Sequence, residues 1–429
     1  MVGSNRRRRV VIRRTYSWTA IVALGLTSTL LAACGSSSKS GSSSTSAPPA
    51  SSGSATSSGS ATGSPIVIGS VGSFTGAVGS SFIGAQLTIQ GWAKQVNANG
   101  GINGHPVQLA VEDDAGSPAQ ALAAVKKLVE SDHVVAIVGD FSASDATWAS
   151  YVAQKGIPVV GGNSVQQPQF TNADFFPVGT SLLAVIYGEV ALSAKIGPKA
   201  AILYCAENPV CAQLGGLVKA YGAKLGVSVD VSTSVSASAV DYTSQCEALK
   251  AAHVNSYQAG LASTTALRVI QSCQSDGVTA QAVVGAGTPT SDWATTKGTD
   301  GVRGTGSTLN FFDTSTQAGR DYQAFISKYV TNIGNSNNQN AMLGYASGKL
   351  FEAAVKAGPS GTVTSQSILQ GLYSLKNETL GGLTQPLTFT KGKPTVLTCY
   401  FIYGISGGKW TSPDGVGSTC VDPAKLAVK

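Results

Sequence analysis

Short apolar segments alternate with amphipathic segments along the first part of the chain. "PIVIGSVGSF", "HPVQLAVEDD", "VVAIVGD" and "IPVVGG" are short enough for strands and end in turn residues. Between them, "SSFIGAQLTIQGWAKQVNANGG", "SPAQALAAVKKLVESD" and "SDATWASYVAQKG" have helical periodicity, with a stop at Asn99-Gly100-Gly101 and a start at Ser117-Pro118. This strict alternation predicts a parallel sheet covered by helices on both faces.

The alternation restarts after a loop around "QQPQFTNADFFPVG". Helices are predicted near 181–196, near 212–225, from Asp241 and over "TTALRVIQSCQSDG", and strands over "KAAILYC", "VSVDVSTSV", "VNSYQAG" and "QAVVG". A second α/β lobe therefore follows the first. The tail predicts helices over about 315–331, 340–357 and 365–375, and a hairpin that pairs "PLTFTKG" with "TVLTCYFIYG".

The N-terminal segment has the three-part pattern of a secretory signal. Six arginines and no acidic residue precede an apolar run from Trp18 to Ala33. A membrane anchor needs about twenty apolar residues, whereas this run contains Ser and Thr and no charged stop follows it. We therefore expect residues 1–33 to be a cleaved signal. Arg13-Arg14 is compatible with twin-arginine export, but Ile12 replaces the usual Ser or Thr, so the export route stays open.

The signal ends on Leu31-Ala32-Ala33-Cys34, which resembles the bacterial lipobox. In that motif the cysteine sulfur receives a diacylglycerol before it becomes the new N-terminus; a chance cysteine in a plain signal is the alternative. Residues 35–64 are almost wholly Ser, Gly, Ala, Thr and Pro, which cannot form a core. Residues 34–64 are thus predicted to be a lipidated cysteine and a disordered tether spanning on the order of 30 Å.

The net charge of +7 belongs mostly to the signal. Of the 29 basic residues, six are signal arginines, which leaves 23 against 22 acidic residues. A nucleic-acid-binding domain carries a basic patch, and the mature chain has no such run, so nucleic acid is not expected as a partner. The roughly 365 residues from Pro65 onward are enough for two lobes of ordinary size.

Six cysteines remain after Cys34, and an even number in an exported chain indicates disulfides. Fifteen pairings are possible, but the short spacings favour Cys205 with Cys211 and Cys399 with Cys420, which leaves Cys246 with Cys273. No CxxC pair exists, and the histidines lack ligand spacing. Neither a metal nor another cofactor is therefore expected.

Several motifs together resemble the first lobe of type I periplasmic binding proteins of the branched-chain amino acid (Leu/Ile/Val-binding) ABC transporter group. They are "GSFTG", "NANGGINGHPV", "EDDAGSPAQA" and "VGDFSAS". A looser likeness continues through "KGIPVVGG", "AMLGYASGKLFEAAVKAG" and "LTQPLTFTKGKPT", so it covers nearly everything after Ser64. The resemblance implies an α/β fold of two doubly wound parallel-sheet lobes, joined by a hinge of three crossovers, with no catalysis.

The resemblance also implies how the chain is divided and where it acts. We expect lobe I to comprise residues 65–180 and 311–375, and lobe II to comprise residues 181–310 and 376–429. The partners would be a small-molecule solute and a membrane permease. A monomer is expected, lipid-anchored on the extracytoplasmic face of the cell membrane and meeting the membrane only through that lipid.

Ligands of open α/β sheets bind beyond the carboxyl ends of the strands. This rule selects the turns "GSFTG", "GDFSASD", "GGNSV", "YCAEN", "QAGLAS" and "GAGTPT". At "FSASDATWA", free N–H groups at a helix N-terminus would suit a carboxylate, although a serine there could simply cap the helix. By resemblance, the first-lobe ligand contacts are Phe74, Thr75, Ser142, Ala143, Ser144, Asn163 and Ser164. Core packing is the alternative for Phe74.

The second lobe departs from the family pattern. Family members that bind amino acids surround the ammonium with an acidic residue and aromatic rings, but the matching positions carry Gly287 or Thr288, Pro209 and Gln258. A buried ammonium without a partner is strongly disfavoured. Either Glu207 or Asp292 replaces the missing acid, or the ligand is an amide, a short carboxylate or another small polar compound. The expected second-lobe contacts are Glu207, Gln258 and Thr288.

Hydrolysis and ligand sensing are the two alternatives to solute delivery. Gly404 to Gly408 match the G-x-S-x-G pattern of hydrolases, but that motif needs a strand leading into a helix, and here we expect a hairpin turn. Glu112, Asp113 and Asp114 are expected to cap a turn rather than to catalyse. A receptor module of the same fold, which senses a ligand without transporting it, stays open.

Overall fold

The first lobe is built on a parallel five-stranded sheet. The computed structural model describes residues 61–207 and 209–428; the predicted signal, Cys34 and the tether up to residue 60 lie outside them. The strands are β1 (Ile66–Gly72), β2 (Val107–Asp113), β3 (Ile137–Phe141), β4 (Val159–Gly162) and β5 (Phe175–Phe176), in the order β2-β1-β3-β4-β5. The helices between them are α1 (Gly79–Ala98), α2 (Pro118–Glu130), α3 (Ala149–Lys155) and α4 (Pro168–Thr171).

Local sequence explains where these elements begin and end. The central strand β3 is buried along its whole length, as expected for a sheet covered on both faces. The Ser117 hydroxyl accepts a hydrogen bond from the Gln120 N–H, and Pro118 occupies the first turn of α2, where a missing N–H costs nothing. Helix α3 ends at Gly156, which has a φ of 66°.

The second lobe repeats the alternation. Its elements are α5 (Leu182–Ile196), β6 (Lys199–Cys205), α6 (Pro209–Leu225), β7 (Ser228–Val235), α7 (Thr243–Ala251), β8 (Ser256–Gly260), α8 (Ser263–Ser275), β9 (Gln281–Val284) and β10 (Arg303–Gly306). All five of these strands pair in parallel. Helices α5 and α6 pack against one face of this sheet, and the other face meets a second apolar cluster that includes Tyr257 and Val284.

The tail contributes to both lobes. It contains α9 (Gln317–Tyr329), α10 (Gln339–Ala357), α11 (Ser365–Ser374), β11 (Cys399–Ser406), β12 (Lys409–Thr411), β13 (Thr419–Cys420) and α12 (Pro423–Leu426). The three long helices pack on the first lobe, where Phe351 meets Trp92 edge to face. The strands extend the second sheet, whose order is β12-β11-β10-β9-β8-β6-β7, with β11 and β12 antiparallel.

The prediction of a hairpin between "PLTFTKG" and "TVLTCYFIYG" is wrong. Strand β11 pairs instead with β10, β12 and β13, and its hairpin turn is Gly407-Gly408. Leu387 and Phe389 belong to the segment expected to form the first strand. Their side chains are instead buried in the core of the first lobe, together with residues of the tail helices. The chain from Leu380 to Leu397 thus packs with lobe I, whereas the sequence division placed it in lobe II.

The three passages between the lobes meet at Thr180. Its hydroxyl lies 3.2 Å from the carbonyl oxygen of Ser307 and 2.5 Å from that of Cys399, so residues from all three passages touch. The N–H of the next residue, Ser181, donates to the carbonyl oxygen of Leu397. The expected α/β fold of two doubly wound lobes with a three-crossover hinge is confirmed, with the difference that the second sheet has an antiparallel edge.

Three disulfides lie in or beside the second lobe. They join Cys205 to Cys211, Cys246 to Cys273 and Cys399 to Cys420. This is the pairing expected from the spacing of the cysteines. The Cys246–Cys273 bridge ties α7 to α8 inside an apolar cluster, and the Cys399–Cys420 bridge joins β11 to β13.

Candidate functional site

A cavity of about 200 Å³ lies between the two lobes, at the carboxyl ends of the strands. Five of the six turns selected from the sequence contribute to its wall, through Ala143, Asn163, Val165, Cys205, Gly260, Leu261, Ala262, Gly285, Ala286, Gly287 and Thr288. The turn "GSFTG" is not among them. Helices α1 and α5 and the residues beside them supply further lining residues, which the choice of turns did not include: Val78, Ser81, Phe82, Leu182, Val185, Ile186 and Glu189.

Among the ligand contacts expected from the sequence, three line this cavity: Ala143, Asn163 and Thr288. The others lie elsewhere: Phe74, Thr75, Ser142, Ser144, Ser164, Glu207 and Gln258. Ser164 follows Asn163 directly but is buried, with its hydroxyl next to Gly179 rather than in the cavity. Alternation of side-chain direction along the turn therefore separates neighbours that the sequence groups together.

Three N–H groups of the turn after β3, where free donors were expected, are already used inside the first lobe. The Ser142 N–H donates to Oδ1 of Asp140, the Ala143 N–H to Oγ of Ser73 and the Ser144 N–H to Oγ of Ser142, each at 3.0 Å. These donors are satisfied within the first lobe. A carboxylate that binds these three N–H groups would have to displace internal hydrogen bonds, so they do not form a preformed anion site.

Behind this turn lies a pair of buried acids. Asp140 and Asp145 are both almost fully buried, and Gln169 donates to the second carboxylate oxygen of Asp140 at 2.9 Å. Burial raises the pKa of Asp140 to about 7, against the opposing effect of its hydrogen bonds. Burial, followed by the neighbouring charge of Asp140, raises the pKa of Asp145 well above its ordinary value. Two such acids in contact are stable when they share a proton, and neither reaches the cavity.

Phe74 and Thr75 have structural roles. Phe74 is 3% exposed and belongs to the core of the first lobe, which agrees with core packing, the alternative to a ligand contact. Thr75 donates through its hydroxyl to Asp113, which also accepts the N–H groups of Phe74 and Ala115. Asp114 accepts from the Ser73 hydroxyl at 2.6 Å. The capping role expected for these two aspartates is confirmed.

The two second-lobe acids expected to hold an ammonium, Glu207 and Asp292, do not line the cavity. Glu207 is exposed and accepts from the Ala237 N–H at 2.6 Å and from the Ser236 hydroxyl at 3.0 Å. Partial burial opposes ionisation, but these hydrogen bonds outweigh it and hold the pKa of Glu207 below its ordinary value. Asp292 lies in a short 3-10 helix away from the cavity lining. The side chain of Pro209 lies outside the described residues.

Gln258 is fully buried on β8, and its amide has no hydrogen-bond partner among the described residues. It faces the same side of the sheet as Ile202, its neighbour in register on β6. Ile202 reaches the cavity wall, but Gln258 does not. The residue therefore lies behind the lining rather than in it.

Glu189 is the acid that does line the cavity, and sequence reasoning missed it. It is 3% exposed, in the middle of α5, and it lies so close to Gly285 that a Cβ atom there would be 2.9 Å from Oε1 of Glu189. Burial raises its pKa to about 8, against a smaller opposing effect of the Thr305 hydroxyl. The available signal was one acid between apolar residues of "LLAVIYGEVALSAKI".

Ser81, on α1 of the first lobe, contacts Asn340 within its own lobe and Ser263 of the second lobe. The Ser81 carbonyl oxygen accepts from Nδ2 of Asn340 at 2.9 Å, and its hydroxyl accepts from the Ser263 N–H at the start of α8 at 3.3 Å. Gly287 has a φ of 80°, and a side chain on it would meet Asn340. This close approach of the two lobes requires glycine.

The geometry of two lobes around a cavity agrees with a comparison of sequences. The family model described as periplasmic binding protein matches residues 65–409, about four fifths of the chain. This chain belongs to the periplasmic binding protein family.

Two kinds of relatives of this periplasmic binding protein were found. An amino acid binding protein of Pseudomonas aeruginosa is 28% identical over 246 residues, which cover 54% of this chain and 63% of that protein. The match thus spans less than two thirds of the relative's length. Among solved structures, a branched-chain amino acid ABC transporter from Thermus thermophilus with bound valine has a TM-score of 0.76 at 14% identity, covering 84% of this chain and 97% of that chain.

A fatty acid ABC transporter substrate-binding protein from Thermomonospora curvata has a TM-score of 0.71 at 15% identity, covering 84% of this chain and 94% of that chain. These structural likenesses show the fold of the periplasmic binding protein. Membership of the periplasmic binding protein family implies export. Within residues 61–207 and 209–428, no helix is both long and apolar enough to cross a membrane.

Proposed function

We propose that this periplasmic binding protein captures a small solute between its lobes and delivers it to an ABC permease. The observation that carries the proposal is the interlobe cavity, because residues of both lobes line it. A ligand that touches both lobes stabilises the closed arrangement in proportion to the contacts that only this arrangement provides. The crossovers that meet at Thr180 are the hinge of this closure.

The solute belongs to the amino acids or to the related amides and carboxylates. The names of the Pseudomonas and Thermus relatives support this range. The chain binds its solute without transforming it. We further propose that a lipid on Cys34 holds the protein at the extracytoplasmic face of the membrane, which the Leu31-Ala32-Ala33-Cys34 motif supports.

A thermal-unfolding screen of the mature, oxidised protein tests solute binding. Amino acids, amides, short carboxylates, polyols and nucleosides are added one at a time. A solute at a hundred times its dissociation constant should stabilise the protein by about 2.7 kcal/mol. No stabilisation by any class contradicts the proposed function.

Transport is tested in the producing cell. Deletion of this protein and deletion of the permease should lower uptake of the identified solute equally. Unchanged uptake after deletion of the binding protein would instead indicate a receptor that senses the solute. Substitution Cys34→Ala should release the protein from the membrane fraction, and retention there would contradict the lipid anchor.

A further inference from the structure

The second-lobe wall of the cavity is apolar. Leu182, Val185 and Ile186 of α5 line it together with Ile202 of β6 and Leu214 of α6. Side chains of this kind favour burial of a hydrocarbon body of the solute by roughly 25 cal/mol for each Å² removed from water. A small polar solute would leave this wall without a matching surface.

Glu189 is the one ionisable side chain among the described lining residues. No ion pair of the described residues includes it. A carboxylate in such an apolar surrounding is costly, and the group instead keeps its proton. With the raised pKa of Glu189, the carboxyl is mostly neutral at pH 7 and both donates and accepts a hydrogen bond.

Among the described residues, the first-lobe wall of the cavity has no charged side chain to balance a charged solute. Its polar side chains at the cavity are amides and a hydroxyl, Asn163, Gln166, Asn340 and Ser81. The N–H groups of Ser142, Ala143 and Ser144, in the turn after β3, donate inside the lobe. Neither a carboxylate nor a zwitterion therefore finds a basic side chain among the described lining residues.

We infer that the cavity selects an uncharged solute with a hydrocarbon body and one amide-like group, which exchanges a pair of hydrogen bonds with the carboxyl group of Glu189. The inference rests on the proposed solute-binding function and narrows it. A primary amide matches a neutral carboxyl group because each offers one donor and one acceptor side by side. The hydrocarbon body then lies along α5 and β6.

A series of ligands with six-carbon chains tests the inference by isothermal titration calorimetry at pH 7. The probes are hexanamide, hexylamine, hexanoate and norleucine, which differ in the charge of the polar group. We expect hexanamide to bind at least about tenfold more tightly than each of the others, because each charged group would be buried without a partner. Tighter binding of hexylamine or norleucine overturns the inference and leaves solute binding intact.

Two variants of Glu189 separate its hydrogen bonds from its packing. Glu189→Gln keeps a donor and an acceptor and should bind hexanamide within about threefold of wild type, whereas Glu189→Leu should bind about 10- to 100-fold more weakly. Glu207→Gln, a matched acid outside the cavity, should leave the affinity unchanged. Circular dichroism confirms folding of each variant.

Equal affinity of Glu189→Leu and wild type for hexanamide overturns the role of the carboxyl group. Absence of hexanamide binding to the folded wild-type protein overturns the inference as well. In that case the broader solute screen decides the proposed function separately, since any other class that stabilises the protein still establishes a binding protein.

Discussion

Both walls of the cleft have buried acids next to them, but the acids are placed differently. In the first lobe, Asp140 and Asp145 lie behind the turn after β3, and Asp140 accepts the Ser142 N–H. In the second lobe, Glu189 lies in the wall itself. Burial raises the pKa of all three carboxyl groups. A raised pKa therefore does not mark a ligand contact, and access from the cavity distinguishes the two cases.

The largest expected effect is on the pH dependence of stability at Glu189. Between its ordinary pKa of 4.5 and its folded pKa of about 8, the folded protein holds a proton that the unfolded chain has released. Stability is therefore lost as the pH rises through this window. We expect Glu189→Gln, which cannot titrate, to gain about 4 kcal/mol in unfolding free energy relative to wild type between pH 4 and pH 8.5.

Urea unfolding at several pH values measures this difference. Glu207→Gln is the control of opposite sign, because the folded pKa of Glu207 is lowered and its ionised form is stabilised above pH 4.5. Parallel pH profiles of wild type and Glu189→Gln would contradict a buried neutral carboxyl group in the second lobe.

The next effect concerns the first-lobe wall. Ala143 is half-buried on the cavity surface, so Ala143→Trp should fill the space of the solute. We expect binding of the solute from the screen to weaken at least about 100-fold, or 2.7 kcal/mol. Ser150→Trp, on the exposed side of α3, is the matched control. Unchanged affinity of Ala143→Trp, measured by calorimetry, would place the solute outside this cavity.

Asp145→Asn tests whether the first-lobe acids act only on stability. The pKa of Asp145 is raised, so the wild-type protein loses stability as the pH rises above the ordinary pKa of an aspartate. The unfolding free energy of Asp145→Asn should therefore rise relative to that of wild type with increasing pH, as expected for Glu189→Gln. We expect a smaller gain, because Asn removes the proton that Asp140 shares. Solute affinity should stay the same by calorimetry, and a large loss would show that the pair shapes the cavity wall.

The smallest effect is expected at the hinge between the two walls. Thr180→Val removes the hydroxyl that lies between the carbonyl oxygens of Ser307 and Cys399, and should cost about 1 to 2 kcal/mol in urea unfolding. Thr171→Val removes an exposed hydroxyl bonded within its own helix and should cost less than about 0.5 kcal/mol. Equal losses would mean that Thr180 does not join the crossovers.

The sequence predicts part of the candidate site, namely which turns surround the cavity. The turns at the carboxyl ends of the strands were found, because turn residues directly follow short apolar runs. Which side chain of a turn enters the cavity was not found: Ala143 does, while Ser142 is turned inward and accepts the Ser144 N–H. The side-chain directions depend on hydrogen bonds between turns that are distant along the chain, such as that from Ala143 to Ser73.

Sequence by itself determined the alternating elements, the division into two α/β lobes and the disulfide pairing. These features follow from local periodicity, turn residues and the spacing of cysteines, which act over a few tens of residues. Tertiary structure alone decided that Leu387 and Phe389 fill the first core and that Glu189 faces the cavity. The local sequence around a lone acid on an apolar helix does not reveal whether water, a partner or a cavity lies opposite the acid. For Glu189 the packing of α5 over the second sheet decides this.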